Sequence, residues 1–100
     1  MKDNVSLSVI VPFYNEEKFL EASIKRLLKL DIVKQIILVD DCSEDKSYSI
    51  GERLVKQNKN MLITKTSKNI GKGGAVKVGL EKVTSTPVSY THLRAHETNQ

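Results

Sequence analysis

Two short apolar runs constrain this chain more than any other feature: VSLSVIV at residues 5–11 and QIILV at residues 35–39. A strand with one wet face alternates apolar and polar residues. Runs that stay apolar at successive positions instead belong to strands covered on both faces, the condition of a parallel sheet between layers of helix. The segment between the runs supplies such a layer. Phe19, Leu20, Ile24, Leu27 and Leu28 recur at spacings of three and four, while Glu21, Lys25, Arg26 and Lys29 take the opposite side. Pro12 is read as the stop of the first strand and Asn15 as the N-cap of the helix. Glu16 and Glu17 then bring negative charge to its positive end, and the helix closes near Leu30 or Asp31.

The pattern repeats downstream. After CSEDKS, a second helix is expected over residues 46–57, with Ile50, Leu54 and Val55 as its apolar stripe. A third strand follows at residues 61–66, MLITKT. SKNIGKGG reads as a loop, and a third helix runs from Gly73 or Gly74 to Val83 with Ala75, Val76, Leu80 and Val83 inward. Strand and helix alternating three times over short connections give an α/β fold, a three-layer doubly wound, mostly parallel sheet. Ligands of such sheets bind at the carboxyl ends of the strands. Three loops should therefore meet there: PFYNEE, DDCSEDKS and SKNIGKGG.

Composition narrows the function. With 39% hydrophobic and 28% charged residues, the chain of 100 residues is an ordinary single globular domain, burying on the order of 60–65% of its surface. The first apolar run is too short to span a bilayer and lacks the basic lead-in of a secretory signal. One cysteine, Cys42, allows no internal disulfide and fits a reducing, cytoplasmic compartment. The net charge of +4 comes from scattered lysines with 5% aromatics and no arginine block, so nucleic acid is not an expected partner.

Two features bear on chemistry. From Gly71 a dinucleotide fingerprint would need glycine at position 76, where Val76 stands, and no phosphate-loop motif of the G-x-x-x-x-G-K-[ST] type occurs. What remains in GKGG is a set of backbone N–H groups with Lys68 and Lys72 at the start of a helix, either an anion cradle or a glycine turn. Asp40 and Asp41 stand side by side at the end of a buried strand, and alternation aims them to different sides. One of them would accept from loop backbone while the other faces the ligand crevice, unless both merely cap the turn. Tyr14 offers a flat face for a base, or packs against the first helix.

Taken together, SVIVPFYNEE, QIILVDDCSEDKS and SKNIGKGGAVKVGLEKV closely resemble the family 2 glycosyltransferases of the GT-A fold. The N-x-GKGGA element is particularly similar to their polyprenyl-phosphate (dolichyl-phosphate) mannosyl- and glucosyltransferase branch. The resemblance spans about residues 4–86. It implies that this part binds the nucleotide of a GDP- or UDP-sugar donor. Pro12, Tyr14 and Glu16 would line the base and ribose site, Asp41 would contact the base, Asp40 would support the loop at its margin, and Lys72 would lie near the diphosphate. It further implies an inverting transfer to a polyprenyl phosphate or another acceptor, which would bring the protein to the cytoplasmic face of a membrane. Mg²⁺ or Mn²⁺ would be held by a D-x-D element that follows a fourth apolar strand. This chain contains no D-x-D and, on this reading, no fourth strand, so its 100 residues alone are expected to be inactive. The alternative is a non-catalytic nucleotide-binding α/β module.

Residues 88–98, VSYTHLRAHET, resemble the translation of a transposase adapter used in preparing sequencing libraries. The expected organisation is a partial glycosyltransferase domain at residues 1–87 and a non-native tail at 88–100. His92 and His96, four apart, share a helix face suited to zinc, but no third ligand accompanies them and no metal site is expected.

Overall fold

The computed structural model describes residues 7–83 and the backbone of residues 88–90. In chain order the elements are β1 (Leu7–Phe13), α1 (Leu20–Leu28), β2 (Val33–Asp40), α2 (Ser47–Gln57), β3 (Met61–Lys65), α3 (Gly71–Leu80) and β4 (Val88–Tyr90). The strands described form one parallel sheet in the order β3-β2-β1-β4.

The continuous apolar runs become the two central strands, and alternation divides their side chains between two layers. Val9, Val11 and Phe13 of β1, with Ile36 and Leu38 of β2, pack against Leu20 and Ile24 of α1 and Leu54 of α2. Ile10, Ile37 and Val39 face the other way, against Ala75 of α3, with Val78 and Val83 partly buried beside them. The topology explains this split. From β1 to β3 the chain steps one way across the sheet, and from β3 to β4 it crosses back past β1. Right-handed crossovers in opposite directions lay their helices on opposite faces. The strand order therefore reverses beside β1, and such a reversal is where a ligand crevice opens in this architecture.

Four expectations are corrected. Pro12 does not end the first strand: β1 continues to Phe13, with Pro12 fully buried and in register with Val39. The Phe13 carbonyl accepts from Asp41 N–H on the β2 side, so its neighbour Pro12 faces the β4 side. There, among the described residues, β4 pairs with Ser8 to Ile10, so the missing proline N–H interrupts none of the ladder described.

Asn15 is not a helix cap. It takes the left-handed conformation at φ 52°, α1 begins only at Leu20, and the intervening turn is closed by Phe19 and Leu20 N–H donating to the Glu16 carbonyl. Phe19 and Leu80, both read as inward, are each 49% exposed. Finally, a fourth strand is present. Val88–Tyr90 lies along Ser8–Ile10 of β1, a pairing carried by main-chain groups and so independent of which side chains the segment bears. His92 and His96 lie outside the described residues, as do Val5 and Ser6. Among the described residues no helix is long and apolar enough to cross a membrane.

Candidate functional site

At the carboxyl ends of β1, β2 and β3 the three loops are joined by hydrogen bonds between their own polar residues. The first loop (residues 14–19) and the second (residues 41–46) are bonded in both directions. Asn15 N–H donates to Ser43 Oγ at 2.8 Å, and Asn15 Oδ1 accepts Glu44 N–H at 2.8 Å. Glu16 N–H donates to Ser47 Oγ at 2.7 Å. Glu17 N–H reaches Asp45 Oδ2 at 3.2 Å, while Glu17 Oε1 accepts Lys46 N–H at 2.8 Å. Burial pushes the Asp45 carboxyl up, but hydrogen bonds from the Ser47 side chain and amide and from the Glu17 amide outweigh it and hold the group below the usual carboxylate range. These bonds account for the left-handed Asn15: its side chain and its amide are both committed to the neighbouring loop, and asparagine tolerates that conformation better than most residues.

The aspartate pair divides as strand alternation requires. Asp40, on the α1/α2 side, is fully buried; its Oδ1 accepts Ser43 N–H at 2.8 Å, and its Oδ2, also buried, has no partner among the described residues. Asp41, on the α3 side, is 4% exposed and holds the third loop. Its Oδ1 accepts Ile70 N–H at 2.9 Å and Thr66 Oγ1–H at 3.0 Å, and its Oδ2 accepts Gly71 N–H at 2.8 Å. Its backbone carbonyl accepts Asn69 Nδ2–H at 3.2 Å.

This geometry corrects the reading of GKGG. The segment is the first turn of α3 and not a loop, and the N–H groups of Ile70 and Gly71 already cradle an anion, the carboxylate of Asp41. Gly71 sits at φ 85° with open space around it, so it is backbone conformation and not crowding that requires glycine there.

Of the six residues singled out in the sequence, Tyr14 and Lys72 are exposed, whereas Pro12, Glu16, Asp40 and Asp41 are buried within the loop cluster. The structure thus brings the expected motifs together while making most of their side chains the internal supports of the site. Sequence reasoning passed over Ser43, Ser47, Thr66 and Asn69. The available signal was their type: serine, threonine and asparagine in loops next to strand ends bond backbone groups. Among the described residues, no three histidine, cysteine, aspartate or glutamate side chains are grouped to hold a cation.

Comparison with known proteins gives the setting. The model of Glycosyl transferase family 2 matches residues 8–91. A dolichyl-phosphate beta-glucosyltransferase of Dictyostelium discoideum is 37% identical over 78% of this chain and 27% of its own length. The solved structure of Staphylococcus aureus TarS residues 1–349 in complex with UDP-GlcNAc superposes with a TM-score of 0.77 at 32% identity, covering 88% of this chain and 26% of that one. A Pyrobaculum calidifontis mannosyltransferase solved with GDP-Man and Mn²⁺ shares the fold, with a TM-score of 0.72 at 24% identity over 78% of this chain and 24% of its own. The chain spans about a quarter of the length of these relatives.

Proposed function

The chain belongs to glycosyl transferase family 2, and from that premise we propose that it forms the nucleotide-binding part of an enzyme that moves a sugar from a GDP- or UDP-sugar to a polyprenyl phosphate or a related acceptor. The observation that carries the reading is the family match over residues 8–91 falling on loops that meet where the strand order reverses. The names of the relatives support the substrate classes: a dolichyl-phosphate glucosyltransferase, and structures holding UDP-GlcNAc and GDP-Man. All of them are transferases, which speaks against a module that only binds nucleotide.

In the proposed reaction an acceptor oxygen forms a bond to the anomeric carbon as the bond from that carbon to the nucleotide oxygen breaks. The electron pair leaves with the nucleoside diphosphate, and the configuration at carbon inverts. A phosphate acceptor needs no base, because it attacks already ionised.

The part assigned to this chain is to receive the nucleotide on prearranged loops. Tyr14 would present a face to the base and Lys72 a positive charge to the diphosphate, while the fully buried Asp40 would support the loop at the margin of the base site. Pro12 and Glu16 would shape the base and ribose side from beneath. Asp41 would meet the base through the single acceptor position its carboxylate retains, or serve the site indirectly. Mn²⁺ accompanies the Pyrobaculum relative. The carboxylates of the described residues do not assemble a seat for Mg²⁺ or Mn²⁺, so no step is assigned to a metal here.

We further propose that the glycosyltransferase sequence ends near residue 87 and that residues 88–100 are an adapter-derived tail; sequencing the source gene beyond codon 87 tests this, and an uninterrupted VSYTHLRAHET there would refute it. Titration with UDP, GDP and NAD, with and without Mn²⁺, tests the binding assignment. Saturable binding of UDP or GDP is expected, and tight NAD binding would overturn it. Sugar transfer by the 100-residue chain alone would refute its assignment as a partial catalytic unit.

A further inference from the structure

We infer that Asn15 is a positioning residue for the nucleotide base: braced against the second loop through its amide and its side chain, it fixes the main chain that presents the ring of Tyr14. The functional half of the inference rests on the nucleotide-binding reading above, and the structural half on the loop geometry alone.

Tyr14 is the first residue past β1, and it is 41% exposed. The main chain on either side of it is nevertheless tied down. Before it, the Phe13 carbonyl accepts Asp41 N–H at 2.9 Å. After it, Asn15 N–H donates to Ser43 Oγ and Asn15 Oδ1 accepts Glu44 N–H, both at 2.8 Å. The next amide, that of Glu16, reaches Ser47 Oγ at 2.7 Å. An exposed aromatic ring therefore stands on backbone anchored from both directions to the segment that follows β2.

Among the described residues, two other than glycine take a positive φ, Asn15 at 52° and Cys42 at 67°. Each directly follows a residue assigned to the base, Tyr14 and Asp41. A residue with a Cβ enters this region at a cost and stays there only where its surroundings hold it. At Asn15 the holding groups are Ser43 and Glu44, and asparagine is among the few types that tolerate the conformation. A ring on a mount fixed beforehand loses little freedom when a base stacks on it, whereas a ring on a loose loop loses more and binds more weakly. The brace therefore acts on the base through Tyr14. A direct contact from Asn15, or a general role in stability, predicts a loss that does not depend on Tyr14.

The test is a double-mutant cycle on the 100-residue chain, titrated with UDP and GDP, together with backbone order parameters from nitrogen-15 relaxation. Tyr14→Ala should weaken both nucleotides by about fivefold or more, because stacking tolerates either base. Asn15→Ala should weaken them by about threefold or more when Tyr14 is present, and by less than about twofold in the Tyr14→Ala background. In Asn15→Ala the order parameter at Tyr14 should fall from about 0.85 towards about 0.6, while α2 keeps its rigid value. Asn15→Asp, which keeps the acceptor and tolerates the backbone conformation, should restore both readouts. Ser43→Ala removes the other half of the brace and should act in the same direction, so it carries the test if Asn15→Ala does not fold. An equal loss of affinity with and without Tyr14 would overturn the positioning role, and an unchanged order parameter at Tyr14 would overturn the brace. Failure of the unaltered chain to bind either nucleotide would count against the nucleotide reading, and the order parameters would still decide the brace.

Discussion

The two faces of the sheet are held by different means. On one, α1 and α2 together cover β1, β2 and β3 with large side chains such as Phe13, Leu20, Ile24, Leu38 and Leu54, all nearly or completely buried. The helices are also bridged to each other: Arg53 of α2 grips Glu21 of α1 through Nη2 and Nη1, at 2.8 and 3.3 Å, and Lys25 adds a contact to Glu21 within α1 at 3.1 Å. On the other face, among the described residues, α3 is the helix that covers β1 and β2, and its buried positions are Ala75 and Gly79. One helix is anchored by side-chain volume, the other by close backbone approach together with hydrogen bonds at its start. The thin face is also the one whose helix enters the candidate site. A helix with few apolar anchors is free to be positioned by polar groups, and here those groups are Asp41 and Thr66.

Four measurements break or sharpen this contrast. The largest effect is expected from Ile24→Ala or Leu54→Ala on the thick face, a loss of about 2–5 kcal/mol in urea unfolding from transfer and cavity terms. Amide protection of α3 relative to β1 should survive that loss if the two faces are held independently, and should collapse with it if they are one unit.

Next is Gly79→Ala. A Cβ there would lie 2.5 Å from Ile10 Cγ2 and 3.1 Å from Val39 Cγ2, both on rigid, fully buried β-branched residues. The change should cost about 1–3 kcal/mol. The matching Gly51→Ala on α2 meets Ile63 Cδ1 at 2.6 Å, the far end of a half-buried side chain on an edge strand, and should cost less. Equal costs would show that the close approach of α3 is not special.

A smaller effect of opposite sign is expected at Gly73, which has open space around it and an ordinary backbone. Gly73→Ala should stabilise the chain by roughly 0.5–1 kcal/mol through helix propensity. Gly71→Ala, at φ 85°, should destabilise it. The pair separates glycines that the fold requires from one that it does not.

The smallest effect concerns Glu21. The hydrogen bonds from Arg53, then from Lys25, lower its carboxyl to about 2 from a usual 4.5. A depressed folded-state value means that its contribution is present above 4.5 and is lost as pH falls from there towards 2. The urea midpoint should therefore drop between pH 5 and pH 2.5 by more in the unaltered chain than in Glu21→Gln, and by less at high salt, because the pair is exposed. An equal drop in both would remove the bridge as a difference between the faces.

Much of the architecture was legible from residue order. Two strands with successive apolar residues, residues 9–11 at the end of the first run and 36–39 in the second, pointed to a sheet covered on both sides, and the helical spacing between them named the covering faces. Ile24, Leu54 and Ala75 were found this way because burial follows periodicity. Phe19 and Leu80 were misread for a related reason: each sits at a helix end, where the apolar stripe runs past the sheet it would cover. Pro12 was misread because its effect depends on which neighbour its missing N–H faces, a property of strand pairing. Asn15 has the right type for a cap, but type alone does not say whether its oxygen serves its own helix or a loop brought near by folding.

The sequence by itself determined the parallel three-layer sheet, the family to which the chain belongs and the three loops that converge at the strand ends. All of these follow from short-range pattern and from residue type. Only the tertiary structure decided the division of labour within those loops. Asp40 and Asp41 are chemically identical and adjacent, and strand alternation says only that they part. Which one holds a helix start depends on the donors that reach each side: Asp40 takes Ser43 N–H from its own loop, whereas Asp41 is met by Ile70 and Gly71, some thirty positions away.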